Sequence, residues 1–193
     1  PERFWRNSGA RAGDVLLLTK PLGMGAVSTA IKKDLAPPDM LAAAMQLMAT
    51  LNRDAKRALH DIDVHGATDV TGFGLVGHAS EMAMGAGLTL EVDTAALPLF
   101  PGALELVRNG ALSGGCKRGK AHFGPRVRVA ANVEPALADL VFDAETSGGL
   151  LIAIAERDAD GAVKRLRNAG VPSHGVVGRF VPRQTDDALL ALR

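Results

Sequence analysis

The stretch Ala67–Met82 reads ATDVTGFGLVGHASEM and places one carboxylate, Asp69, and two hydroxyls directly before a glycine-rich turn. An apolar, alanine-containing pattern with helical spacing follows the turn, so we expect a helix to begin there. Glycines let a backbone approach a ligand closely, and the first turn of a helix offers unpaired N–H groups and a partial positive charge. A hard cation held by Asp69 could bridge to a phosphate at this point. The stretch therefore predicts metal-assisted phosphoryl chemistry.

The segment Gly72–Gly77 also matches the dinucleotide-binding pattern G-x-G-x-x-G, with Glu91 and Asp93 about 20 residues further on. The residues that lead into it, Asp63–Thr71, are not the continuous apolar run of a Rossmann strand. Asp69 would also aim its charge at a pyrophosphate, which costs on the order of a few kcal/mol when no cation offsets it. A nicotinamide or flavin site remains one alternative. A glycine turn that only packs closely on a sheet is another.

Three ordered motifs together resemble the selenophosphate synthetases (selenide, water dikinases), which are relatives of the aminoimidazole ribonucleotide synthetases. They are the sixteen-residue stretch above, Thr19–Gly25 (TKPLGMG) and Asp143–Leu151 (DAETSGGLL). The similarity covers nearly the whole chain but only the C-terminal domain of that family. It implies a mixed β-sheet covered by helices, with residues 1–13 as a linker from an absent N-terminal ATP-binding domain and residues 14–193 as a single C-terminal domain.

The resemblance also implies the reaction of the complete enzyme, in which ATP, selenide and water give selenophosphate, AMP and orthophosphate. Asp69 corresponds to the one carboxylate that this domain supplies to a Mg²⁺ cluster, whereas the other ligands, the reactive cysteine or selenocysteine and most ATP contacts belong to the absent domain. We therefore assign no catalytic nucleophile here and expect the chain alone to be inactive and to bind Mg²⁺ weakly. Further candidates for phosphate or loop contacts are Lys20, Gly23, Gly25, Thr68, Thr71, Gly72, Gly74, Arg118, Thr146, Ser147, Gly148 and Gly149.

Two other functions stay open. One is a different ATP-dependent enzyme of the same superfamily, such as aminoimidazole ribonucleotide synthetase, thiamine-monophosphate kinase or a hydrogenase maturation factor. The other is a non-catalytic module that keeps the fold and drives dimerisation. The phrases DVTGFGL and KPLG favour selenophosphate synthetase among these enzymes. For that family we expect a homodimer.

Composition limits the possible partners. The 193 residues are 47% apolar, which is enough for one packed domain with a sizeable core. With 22 basic and 21 acidic residues the formal net charge is +1, so no long-range field favours nucleic acid or an anionic membrane. No apolar run approaches the ~20 residues of a membrane span. The single cysteine excludes an internal disulfide, and we expect a reducing, cytoplasmic location.

Apolar runs alternate with helical patterns along the chain, which predicts an α/β or α+β class. Strands are predicted at residues 14–19, 88–93, 150–154 and 176–181, with a last strand or short helix at 185–193. Helices are predicted from near residue 26, at 40–60, after the glycine turn up to Gly85 or Gly87, and at 102–109, 134–142 and 157–169. Residues 113–124 are interpreted as a flexible basic loop.

Five side chains carry individual expectations. Met40, Met45 and Met48 are expected to fill core space on their helix. His78 lies one turn from Glu81 and is interpreted as a helix-surface histidine rather than a partner of the site. Cys116 is expected to be an incidental loop thiol whose pKa its basic neighbours could lower.

Overall fold

The structure is a computed structural model that describes residues 4–183 and 188–193. Its strands, in chain order, are β1 (Val15–Leu18), β2 (Val64–Asp69), β3 (Leu88–Val92), β4 (Val127–Val129), β5 (Leu150–Ile154), β6 (Gly175–Pro182) and β7 (Leu190–Leu192). Its helices are α1 (Met24–Lys32), α2 (Pro38–Ala49), α3 (Arg53–Ala58), α4 (Gly74–Ala86), α5 (Ala103–Arg108), α6 (Gly114–Phe123), α7 (Pro135–Phe142) and α8 (Ala159–Asn168). The segment predicted at residues 185–193 as a strand or a short helix forms strand β7 over residues 190–192. Its residues 185–187 lie outside the described ranges.

The strands form one seven-stranded sheet in the order β2-β5-β1-β6-β3-β7-β4. Neighbours are antiparallel from β2 across to β3, whereas β7 runs parallel to both β3 and β4. This mixed sheet with helices confirms the predicted fold class, in its α+β form. The strand that leads into the glycine turn is β2, which lies at one end of the sheet and is antiparallel to β5. A dinucleotide fold needs a parallel strand there, so the topology argues against that alternative.

The central strand β1 divides its side chains between two hydrophobic cores. Leu16 and Leu18 belong to the larger core with residues of α1, α4, α5 and α7, whereas Val15 and Leu17 belong to the smaller core with residues of α3 and α8. Successive side chains of a strand point to opposite faces of the sheet, so β1 is covered on both sides. This double burial explains the continuous apolar run from which the strand was predicted.

The prediction of a flexible basic loop at residues 113–124 is wrong, because residues 114–123 form helix α6. Ser113 precedes the helix as its N-cap, and its hydroxyl accepts a hydrogen bond from the N–H of Gly115 at 3.0 Å. A Cβ on Gly115 or Gly119 would lie 3.1 Å from Ala144 Cβ or from the Phe142 carbonyl oxygen, respectively. These glycines therefore allow close packing of the helix rather than flexibility of the chain.

The single helix predicted over residues 40–60 is also wrong, because this segment holds two helices. Thr50 leaves helical geometry, with ψ at 123°, and thereby ends α2. Asn52 then precedes α3, and its side-chain N–H donates a hydrogen bond to the carbonyl of Gly148 at 3.0 Å. The break therefore ties this corner of the chain to the loop before β5.

Helix α2 exposes more apolar surface than a core helix does. Among its residues only Ala44 is fully buried, and Met45 is 59% exposed. The expectation of core packing is therefore wrong for Met45, whereas Met40 and Met48 pack partly buried against the larger core. Despite such apolar helices, none within the described ranges has both the length and the hydropathy to cross a bilayer.

The N-terminal segment runs along the outer edge of β2. The N–H of Ala67 donates a hydrogen bond to the carbonyl of Arg6 at 2.8 Å, and a Cβ on Gly9 would clash with the carbonyl oxygen of His65. Trp5 packs against the smaller core. The segment thus covers an edge that would otherwise present unpaired backbone groups. The boundary predicted between a linker and a domain at residue 13 stays a prediction.

Candidate functional site

The three motifs meet where β1 and β2 end and β5 begins. β2 pairs with β5 so that Asp69 lies opposite Leu150, and the N–H of Val70 then donates to the carbonyl of Gly149 at 2.9 Å. The hydroxyl of Thr19, at the end of β1, accepts a hydrogen bond from the N–H of Leu150 at 2.7 Å. Sequences that are far apart in the chain therefore build one corner of the domain.

Asp69 lies exposed in this corner on a cleft of about 450 Å³. Its carboxylate forms no hydrogen bond or ion pair with any residue in the described ranges. Carboxylate oxygens are ligands that Mg²⁺ prefers, so this side chain fits the role of one metal ligand. Within residues 4–183 and 188–193, no group of three or more His, Cys, Asp or Glu side chains could hold a metal ion. A Mg²⁺ ion bound at Asp69 would therefore need its other ligands from phosphate, water or a further polypeptide segment.

Thr68 and Thr71 flank Asp69 but have different surroundings. Thr68 lines the same cleft as Asp69. The hydroxyl of Thr71 instead lies 3.0 Å from Nε2 of His78, and its carbonyl accepts a hydrogen bond from the N–H of Glu145 at 2.9 Å. The hydroxyl of Thr68 donates a hydrogen bond to the carbonyl of Asp69 at 3.2 Å, and its oxygen can still accept one from a ligand in the cleft. Thr71, in contrast, holds the turn in place.

The expectation of a helix-surface His78 is wrong. The residue is 8% exposed, and its ring lies between the hydroxyl of Thr71 and the carboxylate of Glu81, which is 3.6 Å from Nδ1. The ring of Phe73 packs at 5.7 Å between centroids. The imidazole therefore positions the turn that follows Asp69. Helical spacing alone did not reveal this contact, because the hydroxyl lies before the helix.

The glycines of the turn also differ from each other. A Cβ on Gly72 would meet no atom within 4 Å, so the backbone there is open to solvent or to a ligand. Gly74 has φ of 66°, and a Cβ on it would clash with the carbonyl oxygen of Asp143. Among the residues that the structure describes, no side chain caps the start of α4. Gly72 therefore remains a candidate contact, and Gly74 serves the packing of the turn.

The start of α1 is filled by a carboxylate that sequence reasoning missed. Glu145 is 4% exposed and accepts hydrogen bonds from the N–H groups of Gly23 at 2.6 Å and Met24 at 2.9 Å. Burial raises the pKa of Glu145 to about 8, although these two hydrogen bonds act in the opposite direction. The available signal was an acidic residue inside a glycine-containing motif, but nothing in the sequence identifies its partner 121 residues away.

Gly23 and Gly25 face protein atoms rather than the cleft. A Cβ on Gly23 would clash with the side chain of Ala103, and one on Gly25 would clash with the carbonyl oxygen of Ala144. Phosphate contacts at these two glycines stay a prediction, and the packing argues against them.

Lys20 is 2% exposed and holds the loop before β5. Its ammonium group donates a hydrogen bond to the carbonyl of Ser147 at 2.8 Å, and burial lowers the pKa of Lys20. Ser147 has φ of 57°, a left-handed conformation that is uncommon for a residue with a side chain, and its hydroxyl donates to the carbonyl of Met48 at 2.7 Å. Thr146 and Ser147 are exposed beside the cleft corner. Lys20 therefore fixes this loop, whatever else it contacts.

Gly148 and Gly149 let the same loop lie against the ends of two strands. A Cβ on Gly148 would clash with the carbonyl oxygen of Val70, and one on Gly149 with the backbone nitrogen of Lys20. Their role in the described residues is close packing, which places Thr146 and Ser147 beside Asp69's strand.

Arg118 lies apart from the Asp69 cleft. It belongs to α6 and lines a second cavity of about 580 Å³ together with Gly72 and Phe73. Its neighbour Cys116 is buried, and burial raises the pKa of that thiol to about 11. The expectation of a loop thiol with a lowered pKa is therefore wrong.

Fold and site together define an α+β domain in which an exposed carboxylate, unpaired among the described residues, lies beside a glycine turn. Residues 11–190 match the family described as AIR synthase related protein, C-terminal domain. The chain belongs to that family.

Two similar curated proteins are named selenide, water dikinase. The chain is 42% identical over 187 residues to selenide, water dikinase of Caldanaerobacter subterraneus subsp. tengcongensis, and this match spans 97% of the chain and 54% of that protein. It is 46% identical over 184 residues to selenide, water dikinase of Geobacter metallireducens, with 95% and 53% covered. The chain thus spans about half the length of the curated relatives it matches.

Solved structures support the fold. The E. coli hydrogenase maturation protein HypE superposes with a TM-score of 0.69 at 20% identity, over 99% of this chain and 49% of that one. Thiamine-monophosphate kinase from Stenotrophomonas maltophilia superposes with a TM-score of 0.68 at 16% identity, over 97% and 52%. At these identities the likeness concerns the fold alone.

Proposed function

We propose that this chain is the C-terminal half of a selenide, water dikinase and that Asp69 gives the complete enzyme one ligand for Mg²⁺. The carrying observation is the unpaired, exposed carboxylate of Asp69 on an open cleft, at the junction of three motifs. Identities above 40% to two proteins of that name support the reaction class. ATP and selenide would then bind largely through the other half of the enzyme.

The residues of this chain hold and position rather than react. A bound Mg²⁺ ion would supply charge neutralisation to phosphate oxygens, which phosphoryl transfer requires more than covalent help from the protein. Asp69 would hold the ion, and the Thr71–His78 pair would keep its turn in place. Lys20 would keep the neighbouring loop in its left-handed conformation through the carbonyl of Ser147. We assign no nucleophile or general base to this half.

The test is a single substitution in the complete enzyme. Asp69→Asn should reduce selenophosphate formation by more than about a hundredfold while the melting temperature stays unchanged, because the carboxylate has no structural partner. Asp160→Asn, an exposed carboxylate on α8, is the matched control and should keep full activity. Phosphorus NMR of the products measures both. An active Asp69→Asn enzyme would remove this residue from the mechanism. ATP hydrolysis by the 193-residue chain alone would instead contradict the proposal that the reaction needs the other half of the enzyme.

A second proposal concerns assembly and location. We propose a cytoplasmic homodimer, and the exposed apolar side of α2 supports association with a second copy because it presents Leu41 and Met45 to water. Light scattering should then give a dimer mass, and Met45→Glu should lower it towards that of a monomer. A monomer mass for the unaltered protein would contradict this proposal. A module that only dimerises would show the same mass but no Mg²⁺ binding at Asp69.

A further inference from the structure

The cleft that Asp69 lines is also lined by two positively charged side chains, and neither of them forms an ion pair with Asp69. Arg53 and Lys56 of α3 line this cleft, yet neither forms an ion pair with Asp69. Arg53 instead forms an ion pair with its sequence neighbour Asp54, at 3.1 Å. Lys56 has no hydrogen bond or ion pair within the described ranges, and its Nζ lies 5.9 Å from the ring centroid of Trp5. Opposite charges therefore share one open cleft without neutralising each other.

The position of these two cations is fixed by the fold. They lie three residues apart and therefore on one side of α3. The other side of this short helix is anchored, because Ala55 and the following Leu59 are buried in the smaller core. Asn52 ties the start of the helix to Gly148 in the loop beside Asp69. The hydrogen bond from Asn52 and the buried side of α3 thus hold Arg53 and Lys56 next to Asp69.

The charge pattern selects a particular kind of ligand. A free anion in the cleft would be repelled by Asp69, and a free divalent cation would bind Asp69 only weakly because Arg53 and Lys56 repel it. A metal-bound phosphate chain carries both signs and satisfies both walls. Arginine matches phosphate oxygens with a planar fork, and lysine matches them as a point charge. The cleft, at about 450 Å³, is large enough for two or three phosphate groups rather than for a single ion.

We propose that Arg53 and Lys56 bind the phosphate chain of a metal-bound polyphosphate or nucleotide whose metal Asp69 holds. This inference rests on the proposed function and adds two positioning residues to it. Their task is to place the phosphate chain against the metal, and no bond to a reacting atom is assigned to them. Arg57, which is exposed on the same helix but does not line the cleft, offers a matched control.

The experiment follows backbone amide shifts of the nitrogen-labelled chain during titration with Mg²⁺ and inorganic pyrophosphate together. Saturable shifts are expected at residues 52–56 and 68–69. Arg53→Gln and Lys56→Gln should each weaken the apparent Kd about fivefold to tenfold, because each removes a charge-assisted hydrogen bond. Arg57→Gln should stay within about twofold. All three residues are exposed, so the variants should melt at the temperature of the unaltered chain.

Three results would overturn the inference: no saturable shift in the unaltered chain, shifts remote from the cleft, or equal weakening by all three variants. Asp69→Asn separates this inference from the proposed function. If it abolishes the Mg²⁺ dependence while Arg53→Gln and Lys56→Gln bind normally, the phosphate role of α3 is wrong and the metal role of Asp69 stands. If only the two α3 variants weaken binding, the phosphate role stands and the metal role is wrong.

Discussion

Two glycine-rich corners of this domain look alike in sequence and differ in the structure. Each follows a strand and opens a helix, at Gly23 before α1 and at Gly72 before α4. At the first corner, Glu145 is buried against two backbone N–H groups. At the second, Asp69 is exposed and has no partner among the described residues. At the first corner, Glu145 satisfies the N–H groups at the helix start. At the second, the carboxylate of Asp69 is accessible to a ligand.

The contrast between Glu145 and Asp69 indicates which of the two glycine turns is accessible to a ligand. A glycine turn at a helix start attracts hydrogen-bond acceptors, but the protein itself can supply the acceptor. Once Glu145 occupies the start of α1, that corner becomes part of the packing. We therefore assign function to the corner whose charge the fold leaves unsatisfied.

The strongest contrast between the corners should appear in a pair of glycine substitutions. Gly25→Ala would drive a methyl group into the carbonyl oxygen of Ala144, so we expect a loss of about 3 kcal/mol in the free energy of unfolding. Gly72→Ala places the same group in open space and should cost less than about 0.5 kcal/mol. Urea unfolding of both variants measures this. Equal losses would show that the two corners are packed alike.

Removing the closing carboxylate should have the next largest effect. Glu145→Ala leaves the N–H groups of Gly23 and Met24 without their acceptor in a buried site, which should cost about 2 kcal/mol. Unfolding by urea at pH 6 gives the value. A neutral result would mean that water or another group replaces the carboxylate without loss.

Titration of the same group gives a pH dependence. Burial raises the pKa of Glu145 from an ordinary value of 4.5 to about 8, so the folded state keeps a proton that the unfolded state releases between these values. The stability of the unaltered chain relative to Glu145→Gln should therefore be greatest below about pH 5 and fall as the pH rises towards 8, by at most about 1.4 kcal/mol per pH unit. Parallel stability curves for the two proteins would contradict the raised pKa.

A smaller effect than that of removing Glu145 is expected for a hydroxyl at the open corner. Thr71→Val removes the hydroxyl that pairs with His78, which should cost about 1 kcal/mol and loosen the turn after Asp69. Thr68→Val, which removes a hydroxyl on the cleft wall, is the control and should cost less. Thermal unfolding followed by differential scanning calorimetry compares the stabilities of the two variants. A larger loss for Thr68→Val would reverse the roles given to these two threonines.

Sequence reasoning predicted elements well where one local pattern decides them. The apolar run of β1 predicted a strand, and Gly87, with φ of 71°, ends α4 as expected. It failed where distant contacts decide. The glycines at 115 and 119 suggested flexibility, but in the structure they lie in helix α6 and allow its close approach to α7 and to the loop after it.

The site shows the same division. The motifs predicted a corner with Asp69, and the structure brings Asp69, the loop at 146–149 and Lys20 together there. The hydrogen bonds of Glu145 to the start of α1 could not be predicted, and neither could the position of Arg53 and Lys56 beside Asp69. Both depend on contacts between distant parts of the chain, which no local pattern encodes. Arg118 was grouped with the motif residues on its glycine-rich context, yet it lies on another cavity.

The central claim is that Asp69 is a metal ligand at an open corner, and paramagnetic broadening by Mn²⁺ tests it most directly. Traces of Mn²⁺ added to the nitrogen-labelled chain should broaden the amide signals around residues 68–72 first, even if binding is weak. Asp69→Asn should abolish this broadening and leave the melting temperature unchanged. Broadening centred elsewhere, or undiminished in Asp69→Asn, would contradict the account.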